Sequence, residues 1–155
     1  MKKIAVLLGG FLIGILLLYA FWVSSNASKP KSPEDFLRDK LGQMLIIGFE
    51  GTEFTPQLGE LLEEVRPGGV LLLSRNVVSW GQIQNLTYDL QEFALREIGH
   101  PLFIAVDQEG GEISRFSWVD YTSQAGLFDK EEGYTIGQKR AKQLREMGVN
   151  MNLAP

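Results

Sequence analysis

The chain alternates short, continuous apolar runs with longer stretches in which apolar residues recur every three or four positions. Continuous, partly β-branched runs suit strands covered on both faces in a parallel sheet, and the three-four spacing marks helices with one face on a core. Four strands are predicted on this basis: Gln43–Phe49 (QMLIIGF), Val70–Leu73, Leu102–Val106 and Val149–Leu153. The helices between them are Pro56–Val65, with Leu58, Leu61, Leu62 and Val65 in helical register, a long one opening at Ser79, and Tyr134–Met147, closed by Gly148. A short helix, Glu34–Lys40, precedes the first strand. Ser79 followed three residues on by Gln82 reads as a capping box that satisfies two orphan amide donors. Ile83, Leu86, Leu90, Phe93 and Ala94 then make one apolar stripe, and Gly99 supplies the stop. Pro67-Gly68-Gly69 ends the helix before it.

The resulting order, β-α-β-α-β-α-β with short connections, demands parallel strands joined by right-handed crossovers. A whole (β/α)8 barrel takes roughly 250 residues, about twice what is available here once the leader is set aside. The expected fold class is therefore α/β, the first half of a (β/α)8 TIM barrel with about four β/α units. A four-stranded flavodoxin-like sheet is the alternative. No GxGxxG or GxxxxGK[ST] loop follows any strand, which argues against nucleotide binding.

Ile4–Val23 carries no charge and follows Lys2–Lys3. As a helix it would be about 30 Å long, the thickness of a bilayer's hydrocarbon core. The two lysines favour a cytoplasmic N-terminus, which sends Ser24 onward across the membrane. The expectation is a single membrane anchor with an extracytoplasmic domain. The competing one is a cleaved signal peptide, with Ser25 and Ala27 as the small residues before the cut and a secreted or periplasmic product. Residues 1–28 are thus read as signal or anchor, 29–39 as linker and short helix, and 40–155 as the folded domain. Hydrophobic content of 45% and charged content of 22% describe a folded protein. Acidic residues outnumber basic ones, 19 to 15, and form no basic stripe, so nucleic acid is not an expected partner. With no cysteine, disulfides, thiolate chemistry and Cys-ligated zinc are excluded.

The chemistry concentrates in Leu102–Arg115 (LFIAVDQEGGEISR), where a buried strand runs straight into Asp107, Gln108, Glu109, Gly110 and Gly111. Functional groups of α/β sheets and barrels sit where parallel strands end. Glu50, Ser74-Arg75-Asn76 and Asn152 fall at the corresponding ends of the other strands. A face rich in acids, amides and Arg suits a polyhydroxylated ligand, because carboxylates accept strong hydrogen bonds from vicinal hydroxyls.

Four segments, GQMLIIGFEG at Gly42–Gly51, GGVLLLSRN at Gly68–Asn76, IAVDQEGG at Ile104–Gly111 with Arg115, and GVNMNLAP at Gly148–Pro155, resemble the N-terminal half of glycoside hydrolase family 3. The resemblance is to its bacterial β-N-acetylhexosaminidase (β-N-acetylglucosaminidase) branch. It implies a (β/α)8 barrel that cleaves terminal β-linked N-acetylglucosamine from cell-wall glycans with retention of configuration, and no cofactor. It carries over Asp107 and Arg115 as substrate-binding positions, with Glu109, Arg75, Asn76 and Asn152 in support. Arg75 and Asn76 match the family's RN pair and are expected to be mainly structural. Glu112 departs from the basic residue that often follows EGG.

The family's lysine-histidine motif, its acid/base histidine and its nucleophilic aspartate belong to the missing C-terminal half of the barrel, so no catalytic residue is expected in this chain. His100, the one histidine, precedes the third strand and falls at the opposite face. Asp107 and Glu109, at i and i+2 on one strand end, cannot straddle a scissile bond as a retaining pair must. Nor do they offer an evident metal site. The alternatives to the enzyme are a membrane-tethered sugar-binding module and an inactive remnant.

Overall fold

The computed structural model describes residues 32–154, together with Ile15, Leu18 and Tyr19 of the leader. The anchor or signal expected at Ile4–Val23 otherwise lies outside the described residues. Among the described residues no helix is long and apolar enough to cross a membrane.

Four parallel strands, β1 (Ile46–Gly48), β2 (Gly69–Leu72), β3 (Phe103–Val106) and β4 (Met151–Asn152), pair in the order β1-β2-β3-β4. A doubly wound sheet reverses strand order at its switch point. No reversal occurs here, which removes the flavodoxin-like alternative. The helices are α1 (Pro33–Gly42), α2 (Pro56–Val65), α3 (Trp80–Phe93, extended by a π-helical turn Ala94–Ile98) and α4 (Lys130–Glu146).

Their ends follow from local chemistry. Thr55 caps α2 by accepting from the Leu58 N–H at 3.2 Å, and Pro56 fits the first turn, where no N–H is needed. At α3 the predicted capping box forms only in part. Ser79 Oγ accepts from the Gln82 N–H, but the Gln82 carboxamide accepts from Val78 rather than from Ser79 itself. Its Nε2 donates to the carbonyls of Thr52 and Asn76, which draws the side chain toward the β1 and β2 exits. Helix α4 starts four residues earlier than its apolar spacing predicts. Asp129 Oδ1 accepts from the N–H groups of Glu131 and Glu132, and those two acids favour the positive end of the helix.

The core lies on one face of the sheet. Val70, Leu72, Ile104 and Val106 alternate along β2 and β3, sit side by side in register, and are fully buried. They pack with Leu62 of α2, the Ile83-Leu86-Leu90 stripe of α3 and Leu144 of α4 in one cluster. Each such side chain contributes about 1.5–3 kcal/mol by leaving water. The intervening residues point to the other face. There Ile46 and Phe103 are 40% and 53% exposed, although parallel sheets are ordinarily covered on both sides.

The fourth strand is short, and side chains add to the main-chain bonds that Asn150 and Leu153 donate to the carbonyls of Ile104 and Val106. Asn150 accepts from the Ile104 N–H at 2.7 Å and donates to the Leu102 carbonyl. Asn152 does the same to the N–H and carbonyl of Gln108. The two asparagines thus tie β4 to β3 on both sides of the paired residues Ala105 and Val106.

Candidate active site

The C-terminal ends of the strands bring Glu50, Arg75, Asn76, Asp107 and Asn152 to one edge of the sheet. They do not have equivalent roles. Asn76, at the end of the 3-10 turn Ser74–Asn76, is completely buried. Its Nδ2 donates to the carbonyls of Phe49 and Gly51, and its Oδ1 accepts from the Leu73 N–H. Arg75 donates from Nε to the Phe49 carbonyl at 3.0 Å and pairs with Glu50. Both side chains hold the β1 exit against the β2 exit. Asn152, as described, is spent on the main chain of Gln108.

Asp107 differs. It continues the alternation of Phe103 and Ala105 and so projects on the face away from the helices. Its Oδ2 meets Arg115 Nη2 at 3.0 Å, with both side chains about a quarter exposed. Arg115 Nε is buried and has no hydrogen-bond partner. Nε is thus shielded, and what the pair can offer a ligand is the exposed part of the Asp107 carboxylate and of the Nη groups, whose one hydrogen bond among the described residues is the one they make to each other. Glu109 joins the network only through its main chain, and its carboxylate makes no hydrogen bond or ion pair among the described residues.

The loop that carries this pair is built around Gln108, a fully buried amide. Gln108 Oε1 accepts from the N–H groups of Arg115 and Phe116, and Nε2 donates to the carbonyl of Phe116 at 3.3 Å. One side chain thereby places Arg115 opposite Asp107. Gly110 and Gly111 take positive φ of 95° and 60°, and a Cβ on Gly110 would collide with the Thr122 carbonyl oxygen. Only glycine permits this close approach in that conformation. Farther along the loop, burial alone would raise the pKa of Asp120. Hydrogen bonds from Lys139 and from Thr122 outweigh it and hold the carboxyl below the ordinary range.

Sequence reasoning placed Asp107 and Arg115 together, and they are in contact. It missed Arg140 of α4, whose guanidinium donates to four loop carbonyls. The available signal was a basic residue four positions before Leu144 and seven before Met147, on the stripe that faces the core. His100 lies just ahead of β3, at the other end of the strand from Asp107.

Residues 36–155 match the glycosyl hydrolase family 3 N terminal domain. This chain belongs to that family. Among its relatives, a beta-hexosaminidase of Xylella fastidiosa strain M12 is 44% identical over 124 residues, covering 72% of this chain and 36% of the relative. Beta-hexosaminidase A of Pseudoalteromonas piscicida is 36% identical over 114 residues, covering 67% of this chain and 19% of that protein. The family 3 beta-N-acetylglucosaminidase of Paenibacillus sp. str. FPU-7 superposes with a TM-score of 0.70 at 33% identity, over 77% of this chain and 24% of that one. The chain thus spans between a fifth and about a third of the length of these relatives.

Proposed function

We propose that this family 3 chain forms the first four β/α units of a (β/α)8 barrel whose whole hydrolyses terminal β-linked N-acetylglucosamine from cell-wall glycans with retention. Asp107 and Arg115 bind the sugar in that barrel, while the nucleophile and the acid/base come from outside these residues. The observation that carries the reading is the unspent capacity of the Asp107–Arg115 pair on the face away from the helices. Sugar hydroxyls supply the donors and acceptors it leaves open, and charged hydrogen bonds of this kind contribute roughly 1.5–3 kcal/mol each. The bare apolar sheet face supports the barrel part of the reading, because in a closed barrel it becomes the packed interior.

The test uses the chain extended through the rest of the barrel, the whole-barrel protein. Asp107→Ala should abolish hydrolysis of a chromogenic N-acetylglucosaminide and leave the melting temperature within a few degrees of the parent. Activity within a few-fold of the parent would overturn the assignment.

We further propose that Met1–Ser28 directs the domain out of the cytoplasm, as an anchor or as a cleaved signal. Protease added to intact spheroplasts should degrade the domain. Carbonate extraction should leave it in the membrane if the segment is retained, and a soluble product beginning near Ser28 would mark cleavage. A protease-resistant domain would contradict export.

A further inference from the structure

Arg140 projects from the middle of α4 onto both strands of the loop that carries Asp107. Nη1 donates to the carbonyls of Gln108 and Glu109, each at 3.0 Å, where the loop leaves β3. Nε donates to the Asp120 carbonyl at 3.1 Å and Nη2 to the Thr122 carbonyl at 2.8 Å, where the loop returns. The Asp120 carboxylate lies 3.8 Å from Nη2 and balances the charge, and both side chains are about nine-tenths buried. Four of the five guanidinium N–H groups are thus bonded to main-chain carbonyls and the fifth lies on the side of the Asp120 carboxylate, so Arg140 is turned inward to the protein rather than toward a ligand.

What it does is join the two ends of the loop. Between those ends, the Gln108 peptide follows Asp107 directly, and the Gln108 side chain fixes the backbone of Arg115. We propose that Arg140 is a positioning residue for the sugar site, holding Asp107 and Arg115 at their 3.0 Å separation by clamping the loop from behind. The assignment rests on the reading of that pair as sugar-binding. A planar fork with five N–H groups reaches four carbonyls at once, whereas an ammonium has three donors and no fixed plane. Charge alone does not reproduce the clamp.

The experiment uses the whole-barrel protein and compares parent, Arg140→Lys, Arg140→Met, Arg115→Lys and the Arg140→Lys/Arg115→Lys double variant. Hydrolysis of a chromogenic N-acetylglucosaminide and melting temperature are measured for each. Displacing a binding pair by about an ångström costs up to a hundredfold. Arg140→Lys is expected to fold and to lose about tenfold or more in kcat/KM, most of it as a higher KM. Because Arg140 acts through Arg115 and its partner, the double variant should lose less than the product of the single losses. A merely structural residue would multiply fully with Arg115→Lys, and that result overturns the proposal. So does a folded Arg140→Lys and Arg140→Met pair within twofold of the parent. Failure of both to fold makes Arg140 a residue of the fold and overturns it as well. An inactive parent would instead refute the glycosidase reading, and the positioning role with it.

Discussion

The β2 and β3 exits occupy neighbouring places on the same edge of the sheet, and both present a polar cluster containing an arginine. At the β2 exit the polar atoms are consumed: Asn76 is buried with three main-chain partners, and Arg75 is committed to the Phe49 carbonyl and Glu50. At the β3 exit the consumption is displaced by one residue. Gln108 takes the structural bonds, and Asp107 with Arg115 is left partly exposed and only half used. A strand end offers a place for a functional group, but the ledger of hydrogen bonds decides whether a given side chain serves the fold or a ligand.

The two exits should therefore fail in opposite ways. Asn76→Ala removes three bonds; the Phe49 carbonyl keeps Arg75, while the Gly51 carbonyl and the half-buried Leu73 N–H lose their Asn76 partner, at up to about 1–3 kcal/mol for each group left unsatisfied. A drop in melting temperature of several degrees or more is expected, with the kcat/KM of the remaining folded whole-barrel protein close to that of the parent. Calorimetry and steady-state kinetics on one preparation check both halves. A stable Asn76→Ala protein with lost activity would move the β2 exit into the sugar site and erase the contrast.

A smaller effect concerns the return arm of the β3 loop. Because Asp120 is held below its ordinary pKa in the folded protein, its stabilisation is fully present above the unfolded value. It is lost as pH falls through the lower folded value. Melting temperature should thus decline on acidification through the carboxylate range, and Asp120→Asn should flatten that part of the profile. An unchanged slope in Asp120→Asn would show that the loop's bracing does not depend on this carboxylate.

The alternation of helix and strand was readable because it rests on periodicity, which is local. Asp107 and Arg115 were readable because they share one loop, eight positions apart. The strand bounds were less so. Gln43 and Met44 look like the start of β1, yet they form a turn off α1, where the Gln43 N–H reaches the Asp39 carbonyl. An apolar run cannot tell where hydrogen bonding passes from helix to sheet. Arg140 stayed hidden for another reason. It lies 32 positions from Gln108 in a helix rich in lysine and arginine, and only the packing of α4 on the loop separates it from Lys139, which is exposed.

The claim that Asp107 and Arg115 hold capacity reserved for a sugar is tested most directly by ligand-induced stabilisation. N-acetylglucosamine at about a hundred times its Kd should stabilise the whole-barrel parent by about 2.7 kcal/mol. The melting temperature of the parent should rise accordingly. Asn76→Ala, starting from a lower temperature, should rise by a similar amount, and Asp107→Ala should not rise at all. An equal rise in parent and Asp107→Ala would contradict the account.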